Sequence, residues 1–133
     1  KEVYAIDIDE KSLKILNKKK IKSIKSDLFN KVRGKFDLIV FNPPYLPNDE
    51  REDIESRIAT TGGEKGDEII LRFLVKAPDF LKKNGIILLL LSSLTPRIRI
   101  NKIIKEKNYE RILLSTKNLF FEKLEVWKLE RKA

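Results

Sequence analysis

FDLIVFNPPY, residues 36–45, reads as a strand that stops on Asn42-Pro43-Pro44-Tyr45. Leu38 to Phe41 form a short apolar run of the kind expected for a strand buried on both faces, as in a parallel sheet. Open α/β sheets bind ligands at the carboxyl ends of such strands. Pro43 biases Asn42 toward extended geometry, and neither Pro43 nor Pro44 carries an N–H, so ordinary local pairing cannot use every carbonyl here. Acceptors are left facing whatever lies beyond the strand.

Those acceptors suit a planar nitrogen. The Asn42 side-chain oxygen and the Pro43 carbonyl can each accept an N–H from an amide or an exocyclic amine. Tyr45 can lie against the flat face. A nitrogen whose lone pair is delocalised is a poor nucleophile, and two preorganised acceptors stabilise the positive charge that grows on it as it attacks an in-line electrophile. The bland alternative is a proline-rich turn between strand and loop.

Outward from this stretch the chain alternates strand and helix. Val3 to Ile8 reads as a strand, and Asp9 as the N-cap of a helix that turns Leu13 and Leu16 toward a sheet. A short strand near Ile21 to Lys25 leads into Ser26-Asp27-Leu28-Phe29. Leu46 to Gly66 is polar and holds the Gly62-Gly63 pair, which suggests a lid facing a substrate. Asp67 is expected to cap a helix packing Ile70, Phe73 and Leu74 and ending near Pro78. Gly85 to Ser93 reads as another buried strand, and Ile100, Ile103 and Ile104 mark a helix face. Glu110 to Thr116 and Glu122 to Glu130 are expected to form a hairpin-like end to the sheet.

Composition bounds the chemistry. The 133 residues are 41% hydrophobic, enough for a real core. No run reaches the roughly 18 apolar residues that span a bilayer, and nothing resembles a signal peptide. The chain has no Cys and no His, which excludes a disulfide scaffold, a Cys nucleophile, a classical zinc site and imidazole acid–base chemistry. Transfer that needs only positioning and polarity is still permitted. The formal charge is +9, with Lys11, Lys14, Lys18, Lys19, Lys20, Lys22 and Lys25 close together. This cluster allows attraction to RNA or the ribosome. It equally suits a solvated helix face beside a lysine-protected edge strand, and no aromatic residues interleave with it as a base-stacking surface requires. Abundant Lys, Glu and Ile without Gln, His, Cys or Met suits either a hyperthermophile or an AT-rich genome.

The NPPY stretch, with VYAIDID at 3–9, TGGEKGDEIILRFL at 61–74 and NLFFEKLEVWKL at 118–129, resembles the HemK-like protein glutamine N5-methyltransferases. These are class I enzymes that use S-adenosyl-L-methionine, and the likeness is to their short archaeal and eukaryotic form. It runs over nearly the whole chain. The resemblance implies a Rossmann-like α/β fold whose sheet is mostly parallel with an antiparallel last strand. It also implies a first, central strand ending in a Gly-rich turn, lying between the VYAIDI and FDLIVF strands. No glycine precedes Gly34, and the sequence begins at Lys1 without any Met. The expectation is one methyltransferase domain over residues 1–133, incomplete at its N-terminus, with two neighbouring strands left short of pairing partners at a cost.

By the same resemblance, Asn42, Pro43 and Tyr45 are the catalytic residues, and Asn42 also borders the cofactor. Asp7 matches the acid that accepts both ribose hydroxyls, Asp27 the acid near the adenine amino group, and Leu28 and Phe29 its apolar contact. Asp9 and Asp7 could exchange roles, and Asp27 could be a turn or cap aspartate. Gly62, Gly63, Gly66 and Glu68 match elements of the family's loop, although Asp67 stands where a basic residue is expected. The implied protein is cytoplasmic, binds no metal or membrane, and methylates the Gly-Gly-Gln glutamine of a peptide-chain release factor with a small zinc-binding activator on its sheet edge. Two alternatives stay open: an N6-adenine methyltransferase acting on DNA or RNA, and an inert remnant serving as a binding subunit.

Overall fold

The structure is a computed structural model that describes residues 2–44, 63 and 65–132. The chain divides into two compact units, residues 1–34 and 35–133. In the first, strand β1 (Tyr4–Asp7), helix α1 (Glu10–Lys18) and strand β2 (Lys22–Lys25) form a β-α-β turn. The two strands pair in parallel, with Tyr4 opposite Lys22 and Asp7 opposite Lys25. Asp9 caps α1, its carboxylate accepting the N–H groups of Lys11 (3.4 Å) and Ser12 (3.2 Å). The Ser12 hydroxyl adds a third bond at 2.9 Å, and this bond holds the Asp9 carboxyl below its ordinary range. Leu13 and Leu16 are half-buried, as an amphipathic helix over a sheet requires.

The second unit is a four-stranded sheet in the order β3 (Phe36–Phe41), β4 (Leu81–Ser92), β6 (Glu122–Arg131), β5 (Tyr109–Leu119). β3 and β4 are parallel, while β6 runs antiparallel to both β4 and β5. The antiparallel last strand agrees with the expectation, and it lies between β4 and β5. The paired residues Ile39, Phe41, Ile87, Leu89, Trp127 and Leu129 share one face, on which α2 (Glu68–Lys76) and α3 (Ile98–Glu106) place Ile70, Phe73, Leu74, Ile100 and Ile104. Burying each large side chain of this kind stabilises the fold by roughly 1.5–3 kcal/mol.

Three expectations need correction. FDLIVF is not covered on both faces among the described residues: Ile39 and Phe41 are half-buried toward the α2 side, whereas Leu38 and Val40 are 49% and 66% exposed. The cause is strand alternation, which turns Leu38 and Val40 to the face opposite α2. β4 begins at Leu81 rather than Gly85, because Leu81 already pairs with Phe36 before the register shifts. Asn84 takes a left-handed φ of 65° in the irregular stretch, and a Cβ on Gly85 would stand 2.8 Å from Leu81 Cδ1 and 2.9 Å from the Lys82 carbonyl. Only glycine fits that crossing. Third, Asp67 holds the N-cap position of α2 but makes no side-chain cap bond.

The Asp67 carboxylate instead receives the Arg99 guanidinium, through Nε at 2.9 Å and through Nη2. A bidentate, charge-assisted pair is stronger than a bond to a neutral backbone N–H, so the cap loses the competition. Burial pushes the Asp67 carboxyl up, and the Arg99 hydrogen bonds outweigh it, holding the group below the usual carboxylate range. Tyr109, buried at the start of β5, donates its hydroxyl to the Leu74 carbonyl at 3.2 Å and ties the sheet to α2. The helix expected to end near Pro78 stops at Lys76, and residues Ala77–Phe80 tighten into a 3-10 turn with Pro78 near its start.

Candidate active site

Asn42 is the first residue beyond β3 and lies exposed at that strand's carboxyl end. Its neighbour Pro43 is buried and Pro44 half-buried. Phe41 is anchored against the Phe73 ring of α2, with centroids 4.4 Å apart and planes tilted by 33°. A rigid backbone on a fixed strand end therefore carries an exposed carboxamide, which offers a donor and an acceptor to a planar amide. Tyr45, Gly62 and most of the predicted Leu46 to Gly66 lid lie outside the described residues.

Where the glycine-rich loop re-enters the described residues, Glu68 organises it. Its two carboxylate oxygens each accept the Lys65 N–H at 3.0 Å, and it receives Arg99 Nη2 at 3.3 Å. Gly63 and Gly66 have φ of 115° and 97°, and a Cβ on Gly63 would meet Glu68 Oε2 at 2.2 Å. Glu68 and Gly63 thus form one tight crossing before α2, which is the structural account that the motif alone did not supply. Arg99 was not singled out in the sequence. The usable signal was Asp67 itself, since a carboxylate at the N-cap of a core helix needs a cation if it is buried and makes no cap bond.

Asp7, Asp27 and Leu28 belong to the first unit. Asp7 ends β1, and its Oδ1 accepts the Asp9 N–H at 2.9 Å. Among the described residues no side chain engages the other carboxylate oxygen. The Asp7 carbonyl accepts the Ser26 N–H at 3.1 Å, which sets the turn after β2 beside the end of β1. Buried Ser26 shapes that turn by donating to the Leu28 carbonyl and accepting the Lys31 N–H, both at 2.9 Å. Leu28 adopts a left-handed φ of 52°, unusual for a branched aliphatic residue and a mark of local constraint. Asp7 and Asp27 are therefore brought to the carboxyl ends of adjacent parallel strands.

A carboxylate held through one oxygen with the other available fits a vicinal diol, and an acid beside an aliphatic side chain fits a purine edge. The donor set thus suits the nucleoside part of S-adenosylmethionine. Loss of a charge-assisted pair of bonds to a ribose should weaken cofactor binding by roughly ten-fold or more, so Asp7→Ala should show that loss in titration calorimetry of the whole protein. Asp9→Ala should leave affinity near the parent value, because its carboxylate is spent on the helix cap. The opposite ranking would exchange the two roles.

The family model of the Eco57I restriction-modification methylase matches residues 1–121. A sequence described as a candidate protein N5-glutamine methyltransferase of Methanocaldococcus jannaschii is 44% identical over 112 residues, covering 77% of this chain and 57% of its own length. The ribosomal protein uL3 glutamine methyltransferase of Francisella tularensis is 31% identical, covering 65% of this chain and 32% of itself. The release factor glutamine methyltransferase of Bacillus cereus is 28% identical, covering 64% and 36%. The chain therefore spans little more than half of the first relative and about a third of the other two. Among solved structures, the E. cuniculi Mtq2-Trm112 complex aligns with a TM-score of 0.63 at 20% identity, covering 99% of this chain and 87% of that one. The fold is thus the Rossmann-like methyltransferase fold, and the chain belongs to the Eco57I-type methylases and, by its relatives, to the HemK-like protein glutamine N5-methyltransferase family.

Proposed function

We propose that this chain carries the catalytic centre of an S-adenosylmethionine-dependent methyltransferase that modifies the side-chain amide nitrogen of a protein glutamine. The observation that carries the reading is the exposed Asn42 carboxamide on buried Pro43 at the carboxyl end of β3. When bound, the cofactor would supply an electrophilic methyl group on a sulfonium, whose S–C bond breaks as the methyl leaves and whose sulfur becomes a neutral thioether. Asn42 accepts one N–H of the incoming amide through its side-chain oxygen, the Pro43 carbonyl accepts the other, and the nitrogen is turned toward the methyl. As the new N–C bond forms, positive charge grows on nitrogen, and both acceptors strengthen in the transition state. One amide proton then leaves to solvent. Asp7 and Asp27 hold the nucleoside, and Tyr45 is proposed to cover the flat face of the amide.

We place residues 1–133 in one catalytic domain and assign its target to the Gly-Gly-Gln glutamine of a class-1 release factor, with a small zinc-binding activator as partner and a cytoplasmic, ribosome-proximal site of action. The names of the relatives support a glutamine substrate, and one of them names a release factor. A second reading, N6-adenine methylation of nucleic acid, is favoured by the restriction-modification description of the matching family model. An adenine must be unstacked and held through flanking phosphates, which makes activity fall steeply with salt. Offered tritiated cofactor, the whole protein should label a release factor and lose the label when the Gly-Gly-Gln glutamine is changed to alanine. Label on DNA or RNA with an unlabelled release factor would reverse the assignment. Label on ribosomal protein uL3 alone would move the target without changing the chemistry.

A further inference from the structure

The β5–β6 hairpin turns on two residues, Phe120 and Phe121, which are 87% and 85% exposed. Two-residue hairpin turns favour Asn, Asp and Gly because they need positive φ. Phe121 sits at φ 67°, a conformation costly for a bulky side chain. The two rings lie against each other with centroids 4.1 Å apart, so two large apolar side chains are presented to solvent where a polar turn would be cheaper. Retained strain of this kind points to a function at the tip.

The base of the hairpin is fastened to the end of β4. Glu122 receives the Ser92 hydroxyl, the Lys123 N–H donates to Ser93 Oγ at 2.9 Å, and the Ser93 N–H donates to the Lys123 carbonyl at 2.8 Å. Since β3 and β4 are parallel and β6 starts beside Ser92, the tip projects from the same end of the sheet as Asn42. Phe41 is level with Leu89 and Leu89 with Trp127. From Trp127 back to Phe121 the strand climbs about 20 Å, Asn42 climbs one residue, and β3 and β6 stand two strand spacings apart, so tip and carboxamide are separated by about 20 Å. An extended peptide of about six residues spans that distance.

We propose that Phe120 and Phe121 form a docking prong that grips the protein substrate at an apolar side chain about six residues from the target glutamine. This rests on the glutamine reading above. The occupant is the substrate polypeptide because the prong shares the rim with the acceptor residue at one peptide's reach. The two rings are tilted 56° to each other and so offer no flat platform on which a base could stack.

The test is the double variant Phe120→Ser, Phe121→Asn in the whole protein, since Asn tolerates left-handed φ and should leave the melting temperature no lower than the parent's. With an intact release factor as substrate, KM should rise roughly ten-fold or more, the scale of one lost aromatic contact. With a pentapeptide centred on the same glutamine, too short to reach the prong, kcat/KM should not change. An unchanged KM for the intact protein would overturn the prong while leaving glutamine methylation standing, and equal losses on both substrates would overturn it as a merely structural effect. A parent dimer in sedimentation that the variant dissociates would assign the rings to a second copy instead. A parent enzyme that labels only nucleic acid removes the glutamine reading itself, a result distinct from all three.

Discussion

Asn42→Ala in the whole protein is expected to lower the rate of methyl transfer by roughly 100-fold or more, the scale of one lost preorganised group at a reacting centre. The side chain is exposed and has no described hydrogen-bond partner, so its removal should leave stability unchanged. Cofactor affinity should change little, because the nucleoside contacts are assigned to Asp7 and Asp27. The loss should fall on kcat and kcat/KM together, since the acceptor is stronger in the transition state than in the ground state. Asn42→Asp keeps an acceptor oxygen at the same place and should retain more activity than alanine. An alanine variant with near-parental turnover would remove the carboxamide from the mechanism.

Features encoded within a few residues were legible in the sequence. The short apolar run and the proline pair of FDLIVFNPPY located β3 and the place of Asn42 at its end, and the i, i+3, i+4 isoleucines located α3 with Ile100 and Ile104 buried. Asp9 was expected as the helix cap because it stands immediately before a helical pattern, and the cap bonds agree, although sequence alone left its exchange with Asp7 open. Features set by distant partners were not legible. Asp67 looked like a cap because the competing guanidinium comes from 32 residues further along the chain. Leu38 and Val40 looked buried because an apolar run does not say which face a neighbouring element covers. The division into a two-stranded and a four-stranded sheet also depends on pairing between remote strands, although the absence of a Gly-rich first strand led to the expectation of interrupted pairing beside β1 and β3. The hairpin itself was expected, but the left-handed φ at Phe121 was not, because turn statistics argue against phenylalanine there.

The second large effect is on stability. Trp127 is 2% exposed at the centre of the four-stranded sheet, opposite Leu89 on β4 and Leu113 on β5. Arg97, at the start of α3, lies 5.0 Å from its ring centroid, and Arg111 of β5 lies at 4.4 Å. The indole Nε1 donates to Glu125 at 3.2 Å, and the same carboxylate takes Arg97 Nη2 at 3.2 Å. Burial pushes the Glu125 carboxyl up, and the bonds from Trp127 and Arg97 outweigh it and hold the group ionised. The ring therefore joins sheet and helix both by packing and by keeping a half-buried charge satisfied. Trp127→Ala removes the largest core side chain and one partner of that carboxylate, and should destabilise the whole protein by about 3–5 kcal/mol. Chemical unfolding, followed by circular dichroism because the variant lacks the parent's single Trp, should show a lower midpoint with an unchanged slope. Trp127→Phe keeps most of the packing and the cation contacts but not the Nε1–H, and should lie between parent and alanine. If alanine cost less than about 1 kcal/mol, the ring would be peripheral to the core, and the anchoring of α3 would have to come from Ile100 and Ile104 alone.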